Sequence, residues 1–145
     1  MARFTVSARA SAIATTVRGP SVYNIASAAS PRIVEVGVFN TTTTAFVAAV
    51  QRMTATGTQG AGLTEAKHDA NGPAADATGF NTHTADATAS DEIARASIGA
   101  SVGSGMVWTF GGGGLVIPAG TASGIAITCP TGTGQLFDFY IVWDE

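Results

Sequence analysis

Charge is what this sequence has least of. Asp, Glu, Lys and Arg make up 12% of its 145 residues, roughly half the share usual in a soluble domain. Lys67 is the only lysine, and Arg3, Arg9, Arg18, Arg32, Arg52 and Arg95 stand singly along the chain. A net charge of −3 without a basic cluster excludes nucleic acid as an expected partner, because binding phosphate requires gathered cations to displace its counterions. The surface falls to Thr, Ser, Ala and Gly. With few charges to hold copies apart, contact with other copies or with another protein is expected.

Cysteine is nearly absent as well. Cys129 stands alone, which rules out an intrachain disulfide and a stapled secreted scaffold. Its setting, "GIAITCP", is that of a small buried hydrophobe, and neither His68 nor His83 is near in sequence to act as its base. No apolar run approaches the roughly 20 residues that cross a bilayer as a helix, so no membrane partner is expected. The opening "MARFTVSARASAIATTVRG" lacks the continuous apolar stretch of a signal peptide. Synthesis in the cytoplasm is the expectation, any export being by another route such as cell lysis.

Helical periodicity is the third absence. β-branched and aromatic residues recur in short runs bounded by Gly, Pro, Asn and Ser, which reads as strands. "RFTVSARASAIATTV" and "SVYNIAS" are the first two candidates. "RIVEVGVFN" sets Val34, Val36 and Val38 on a core face against Ile33, Glu35, Gly37 and Phe39. After "NTTTT", "AFVAAVQRMTA" is its expected hairpin partner. Residues 57–90 turn to Gly, Ala, Thr, Asn and Asp and read as one long surface loop. One short strand is expected in it near "GFNTHTA", with a helical turn at Thr64 to His68. "SDEIARASIGASVGS" has an ambiguous period, whereas "GMVWTF", "LVIPAG", "GIAITC" and "QLFDFYIVW" are clear strands. In the last, Phe137, Phe139, Ile141 and Trp143 share a core face, while Asp144 and Glu145 stay in water.

A single domain over residues 1–145 is long enough to bury about two thirds of its unfolded surface. About eight short strands without a convincing helix give an all-β fold, a β-sandwich with jelly-roll connections.

Catalytic and metal chemistry find little material. Gly111 to Gly114 are followed by Leu115, Val116 and Ile117, not by the Lys and Ser or Thr of a phosphate loop, so the glycines are expected to bend the chain. "GPSVY" lacks the second glycine of a nucleophile elbow. His68 beside Asp69, and His83 near Asp86, lack the tight spacing of zinc ligands. Asp69, Asn71, Asp76 and Asp86 are oxygen ligands without a calcium-loop pattern. Glu35 and Asp138 alternate with apolar neighbours, as solvated strand acids do. Trp108, Trp143, Tyr23 and Tyr140 fit core or interface burial better than a sugar platform. The expectation is a protein that is not an enzyme and carries no cofactor.

Five stretches, "VEVGVFNTT", "GTQGAGLTEAKHD", "FNTHTADAT", "WTFGGGGLVIPAGTASGIAI" and "DFYIVWDE", together resemble small virion structural proteins of tailed bacteriophages, most closely head decoration or cement proteins. The resemblance covers about Arg32 to Glu145 and includes no catalytic motif. It implies a β-sandwich subunit on the outer capsid surface of the virion, self-associated as a dimer or trimer and bridging neighbouring major capsid proteins. On this reading residues 1–17 form an N-terminal arm that crosses to a neighbour as an exchanged strand, and loop 57–90 meets the capsid. The expected interface residues are then Phe4, Val6 and Ile13 on the arm and Leu63, His68, Phe80 and His83 in the loop. A receptor- or glycan-binding module of a phage head or tail fibre is the alternative, and a small polysaccharide hydrolase ranks third.

Overall fold

A computed structural model describes residues 1–13, 19–24, 29–119 and 123–145, with Ile13 by its backbone alone. Among the described residues there is no helix. The strands are β1 (Arg3–Ile13), β2 (Ser21–Asn24), β3 (Arg32–Asn40), β4 (Phe46–Ala55), β5 (Thr58–Gln59), β6 (Ala66–Lys67), β7 (Thr78–Phe80), β8 (His83–Ala85), β9 (Thr88–Ile98), β10 (Gly105–Thr109), β11 (Leu115–Val116), β12 (Ser123–Thr131) and β13 (Thr133–Asp144). One sheet runs β10-β3-β13-β1-β6 with β11 also on β3, the other runs β7-β2-β12-β4-β9, and β5 and β8 pair separately.

All pairings are antiparallel, and the long strands pair from the ends of the chain inward: β1 with β13, β2 with β12, β3 with β10, β4 with β9. The two large sheets face each other as a β-sandwich. The alternation read in "QLFDFYIVW" holds, since Phe137, Phe139, Ile141 and Trp143 are buried while their neighbours are not. Opposite them lie Val22, Phe46, Val50, Ile125, Ile127 and Cys129 in one continuous core. Burial pushes the Cys129 thiol up to about 12, so it remains protonated and apolar.

Three expectations are corrected. β3 and β4 are not a hairpin, for they belong to opposite sheets. Each carries an apolar stripe that can be buried only against the other layer, and residues 41–45 are long enough to cross a gap of about 10 Å. Asn40 builds that corner. Its Nδ2 donates to the carbonyls of Thr44 (2.9 Å) and Gly99 (2.8 Å), and its Oδ1 accepts from the Thr42 N–H and hydroxyl, each at 2.9 Å. The Asn40 N–H donates to Ser104 O (2.8 Å), and Gly103 N–H donates to Asn40 O (2.8 Å). One buried side chain thus ties the β3–β4 crossing to the β9–β10 crossing.

Second, the valine stripe of β3 is interrupted. Val142 faces Glu35 but Trp143 faces Ile33, which leaves Val34 as a β-bulge and turns Ile33 into the core. Opposite the bulge, the strand beside β3 is itself broken by the glycines between β10 and β11. Gly112, Gly113 and Gly114 have φ of 68°, 102° and 77°, a region that side chains disfavour. A Cβ on Gly114 would lie 2.6 Å from the Ile33 carbonyl oxygen. The glycine run bends the chain, as expected.

Third, residues 57–90 carry more than the one short strand expected near "GFNTHTA". They supply β5 to β8 and the start of β9, and Thr64 to His68 hold strand β6 where a helical turn was expected. β6 adds to the free edge of β1 and β7 to that of β2, since an unpaired strand edge offers main-chain partners that an isolated helical turn lacks.

Candidate interaction surface

The residues expected at an interface are dispersed. Phe4 and Val6 are in the core, because β1 is an interior strand of its own sheet, paired with β13 from Arg3 to Ile13. In this fold they are not available to a partner's surface. Ile13 pairs with Thr133 through its backbone, and its side chain and residues 14–17 of the expected arm lie outside the described residues. Leu63 packs partly buried against the core, its N–H bound to Gly79 O at 2.9 Å. Phe80 and His83 close the seam between residues 57–90 and the second sheet, with ring centroids 5.8 Å apart. His68 alone is exposed, and its Nε2 lies 2.6 Å from Thr5 Oγ1.

His83 is a buried seam residue, not a solvent-facing loop histidine. Its Nε2 lies 2.6 Å from Ser21 Oγ, and its ring meets Tyr23 edge-on at 5.4 Å. Burial lowers its pKa below the ordinary imidazole value, against a weaker opposing pull from the Thr56 backbone. The neutral form therefore contributes stability that is complete above about pH 6.5 and lost as pH falls below it, because only the unfolded chain readily takes up the proton. Asp138 and Asp144, held below the usual carboxylate range by hydrogen bonds to Arg9 and Arg3, act only at lower pH. His83→Gln, which retains a partner for Ser21, is expected to flatten the loss of urea stability between about pH 7 and pH 5. An unchanged slope would assign that loss to another group.

Several of the charged groups are paired with one another. Arg3 and Asp144 form a two-bond ion pair at 2.7 and 2.9 Å, as do Arg9 and Asp138 at 2.7 and 3.0 Å. These pairs are exposed and add little to stability. Glu145, expected to be free in water, instead accepts from the Asp76 and Ala77 N–H groups (2.7 and 2.8 Å) and from Trp143 Nε1 (2.7 Å). A cleft of about 680 Å³ opens beside it, between Arg3, His68, Asp69 and Asp76. Asp69 Oδ1 accepts the Asn71 N–H at 2.9 Å, closing a local turn. Among the described residues no three His, Cys, Asp or Glu side chains gather where they could hold a metal ion.

Glu35 and Asp138 point to the same outer face but four positions apart along neighbouring strands, about 13 Å. That exceeds the spacing of either glycoside-hydrolysis geometry. Glu35 Oε1 instead accepts from the Tyr140 hydroxyl at 2.7 Å. Burial first, and this carboxylate second, push the hydroxyl up to about 12.

The four aromatics weighed as a sugar platform separate. Trp143 and Tyr23 are buried and Trp108 packs on the core. Tyr140 lies on the outer face, stacked on Phe39 with centroids 6.3 Å apart. Its ring rests over Gly37, where a Cβ would come within 2.2 Å of it.

What the sequence reading missed is where the exposed apolar side chains collect. Val102 (68% exposed), Val107 (42%) and Met106 (40%) lie on β10 or just before it. The signal was available: from Ala96 to Phe137 the chain carries no Asp, Glu, Lys, Arg or His. β10 is also the outermost strand of its sheet. No protein-family model, curated protein or solved structure matches the chain.

Proposed function

We propose that this chain is a structural virion subunit that decorates the outer surface of a tailed-phage head, where it bridges neighbouring major capsid proteins and associates with its own copies. The observation that carries the reading is the apolar, uncharged edge around β10, exposed on a chain whose remaining charges are paired or scattered. An exposed apolar patch of this kind marks a protein contact. The end-to-end pairing of β1 with β13, β2 with β12, β3 with β10 and β4 with β9 supports jelly-roll connectivity, an architecture used by capsid and lectin domains. The resemblance over Arg32 to Glu145 supplies the phage context.

Mechanically, a decoration protein adds buried area across the joints between capsomers. A standard interface of roughly 1,600 Å² at each joint, repeated over the shell, opposes the pressure of packaged DNA. The expected result is that the purified chain co-sediments with phage heads stripped of it, saturating at a fixed ratio to the major capsid protein, and raises the temperature at which they release DNA. Heads that leave it entirely in the supernatant would overturn the reading. Deleting the N-terminal segment is not a clean test, because β1 supplies Phe4 and Val6 to the core.

The Phe39–Tyr140 stack with the Glu35 carboxylate beside it favours the second reading, a glycan-binding module of a head or tail fibre. An aromatic face can cover the C–H face of a sugar while the carboxylate accepts from its hydroxyls. Glycan-array binding that Tyr140→Ala removes, with no binding to heads, would establish it instead.

A further inference from the structure

We propose that β10 is a self-association strand: two copies of this chain pair β10 against β10 in antiparallel fashion about a two-fold axis at Val107, joining their sheets into one. This rests on reading the chain as an assembling subunit, and it names the seam between copies.

The four outer strand edges of the sandwich differ in how they are finished. On one side, residues 57–90 add short strands to both sheets, β6 on Phe4 and Thr5 of β1 and β7 on Ser21 to Tyr23 of β2. On the other side, β9 and β10 are outermost. β9 is unsuited to pairing, since its register against β4 shifts repeatedly and it carries Asp91, Glu92 and Arg95. Bulges and charges are the usual protection of an edge strand. β10 has neither.

Its main chain is also set for a partner. Asn40 N–H donates to Ser104 O and Phe110 N–H to Val34 O, at 2.8 and 2.9 Å. By antiparallel alternation, Met106 and Trp108 direct their N–H and C=O groups at β3, and Gly105, Val107 and Thr109 direct theirs outward. Such a row requires an extended strand, and β10 supplies one that fits itself. With the axis at Val107, the two Val107 residues exchange both hydrogen bonds, and Gly105 meets Thr109 of the other copy. The residues with outward groups thus fall opposite one another, while Met106 meets Trp108 of the other copy as the intervening non-hydrogen-bonded pair. Gly105 leaves room where the strands enter, Val107 packs on its counterpart, and no charge meets a like charge because β10 carries none. The adjoining Val102 and Met106, both exposed, extend the apolar contact.

The test is the solution mass of the full chain by sedimentation equilibrium, compared with Val107→Pro and Val107→Lys. Proline removes an N–H that faces away from β3, a substitution an edge strand tolerates without losing its ladder. Lysine places two like charges at the axis. The expected result is a wild-type mass of twice the 14.5 kDa chain, and a dimer dissociation constant raised by about 10- to 100-fold in each variant. Amide exchange at Val107 and Thr109 should slow on dimerisation. Should the proline variant fail to fold, the lysine variant and the exchange data decide. A wild-type chain that stays monomeric at its highest soluble concentration overturns the proposal, as does a dimer indifferent to both substitutions. A strand supplied by a capsid partner would appear as a monomer whose Val107 amide slows only on heads. Failure to bind heads, by contrast, would count against the capsid reading and leave the dimer measurement standing.

Discussion

Trp143→Ala is expected to lower the unfolding free energy by about 3–5 kcal/mol, a large part of the roughly 5–15 kcal/mol that holds a domain of this size. Trp143 is fully buried, stacks on Phe4 with ring centroids 5.7 Å apart, and lies on β13 beside both β1 and β3. Truncation leaves a cavity bounded by rigid strands on either side, so the site cannot collapse to fill it. It also frees Glu145, whose carboxylate joins the Trp143 indole N–H to the Asp76 and Ala77 main chain. Urea unfolding followed by circular dichroism measures the loss. Glu145→Gln, which keeps the indole bond while weakening the acceptor, should produce a smaller effect. A loss under about 1 kcal/mol for Trp143→Ala would contradict the packing described.

Asn40→Ala is expected to remove about 2–4 kcal/mol, although the residue is small and polar. Its amide satisfies the carbonyls of Thr44 and Gly99, two groups on separate sheet crossings. Alanine removes these two bonds and the two that Thr42 donates to the side chain, at about 0.5–1.5 kcal/mol net for each, although the Gly99 carbonyl keeps the Ser104 hydroxyl at 2.6 Å. Asn40→Asp separates the two halves of the side chain. It retains the acceptor for Thr42 but turns a carboxylate toward two carbonyl oxygens, so at neutral pH it should be no more stable than the alanine variant. Recovery of the aspartate variant to wild-type stability would show that the corner does not depend on the donor. Thermal unfolding of the three proteins side by side provides the comparison.

Much of the local structure was legible along the chain. The period of two from Phe137 to Trp143, the burial of Cys129 and the bend at Gly111 to Gly114 follow from neighbouring residues alone, and each is observed. The errors share a cause. "NTTTT" looks like a hairpin turn, yet β3 and β4 lie in different layers, a choice made by which apolar stripes meet across the core. Ile33 and Val34 exchange faces because β3 carries one residue more than β13 between two points of register. His83 is buried by residues brought from Ser21 and Tyr23, and no local pattern marks it. Among candidate contact residues, Phe4 and Val6 pack in the core of their own chain, on the strand beside β13. Val102, Met106 and Val107 were passed over because an apolar strand reads the same whether it is central or at an edge.

By itself, the sequence determined that this chain builds strands, buries alternate residues, carries few charges and bends at its glycines, since each depends on the conformational and solvation preferences of adjacent residues. Only the tertiary structure decided which edges of the sandwich are covered by residues 57–90 and which apolar side chains are left outside. Strand order is set by contacts between residues far apart in the chain, and exposure of an edge is a property of what fails to pair with it.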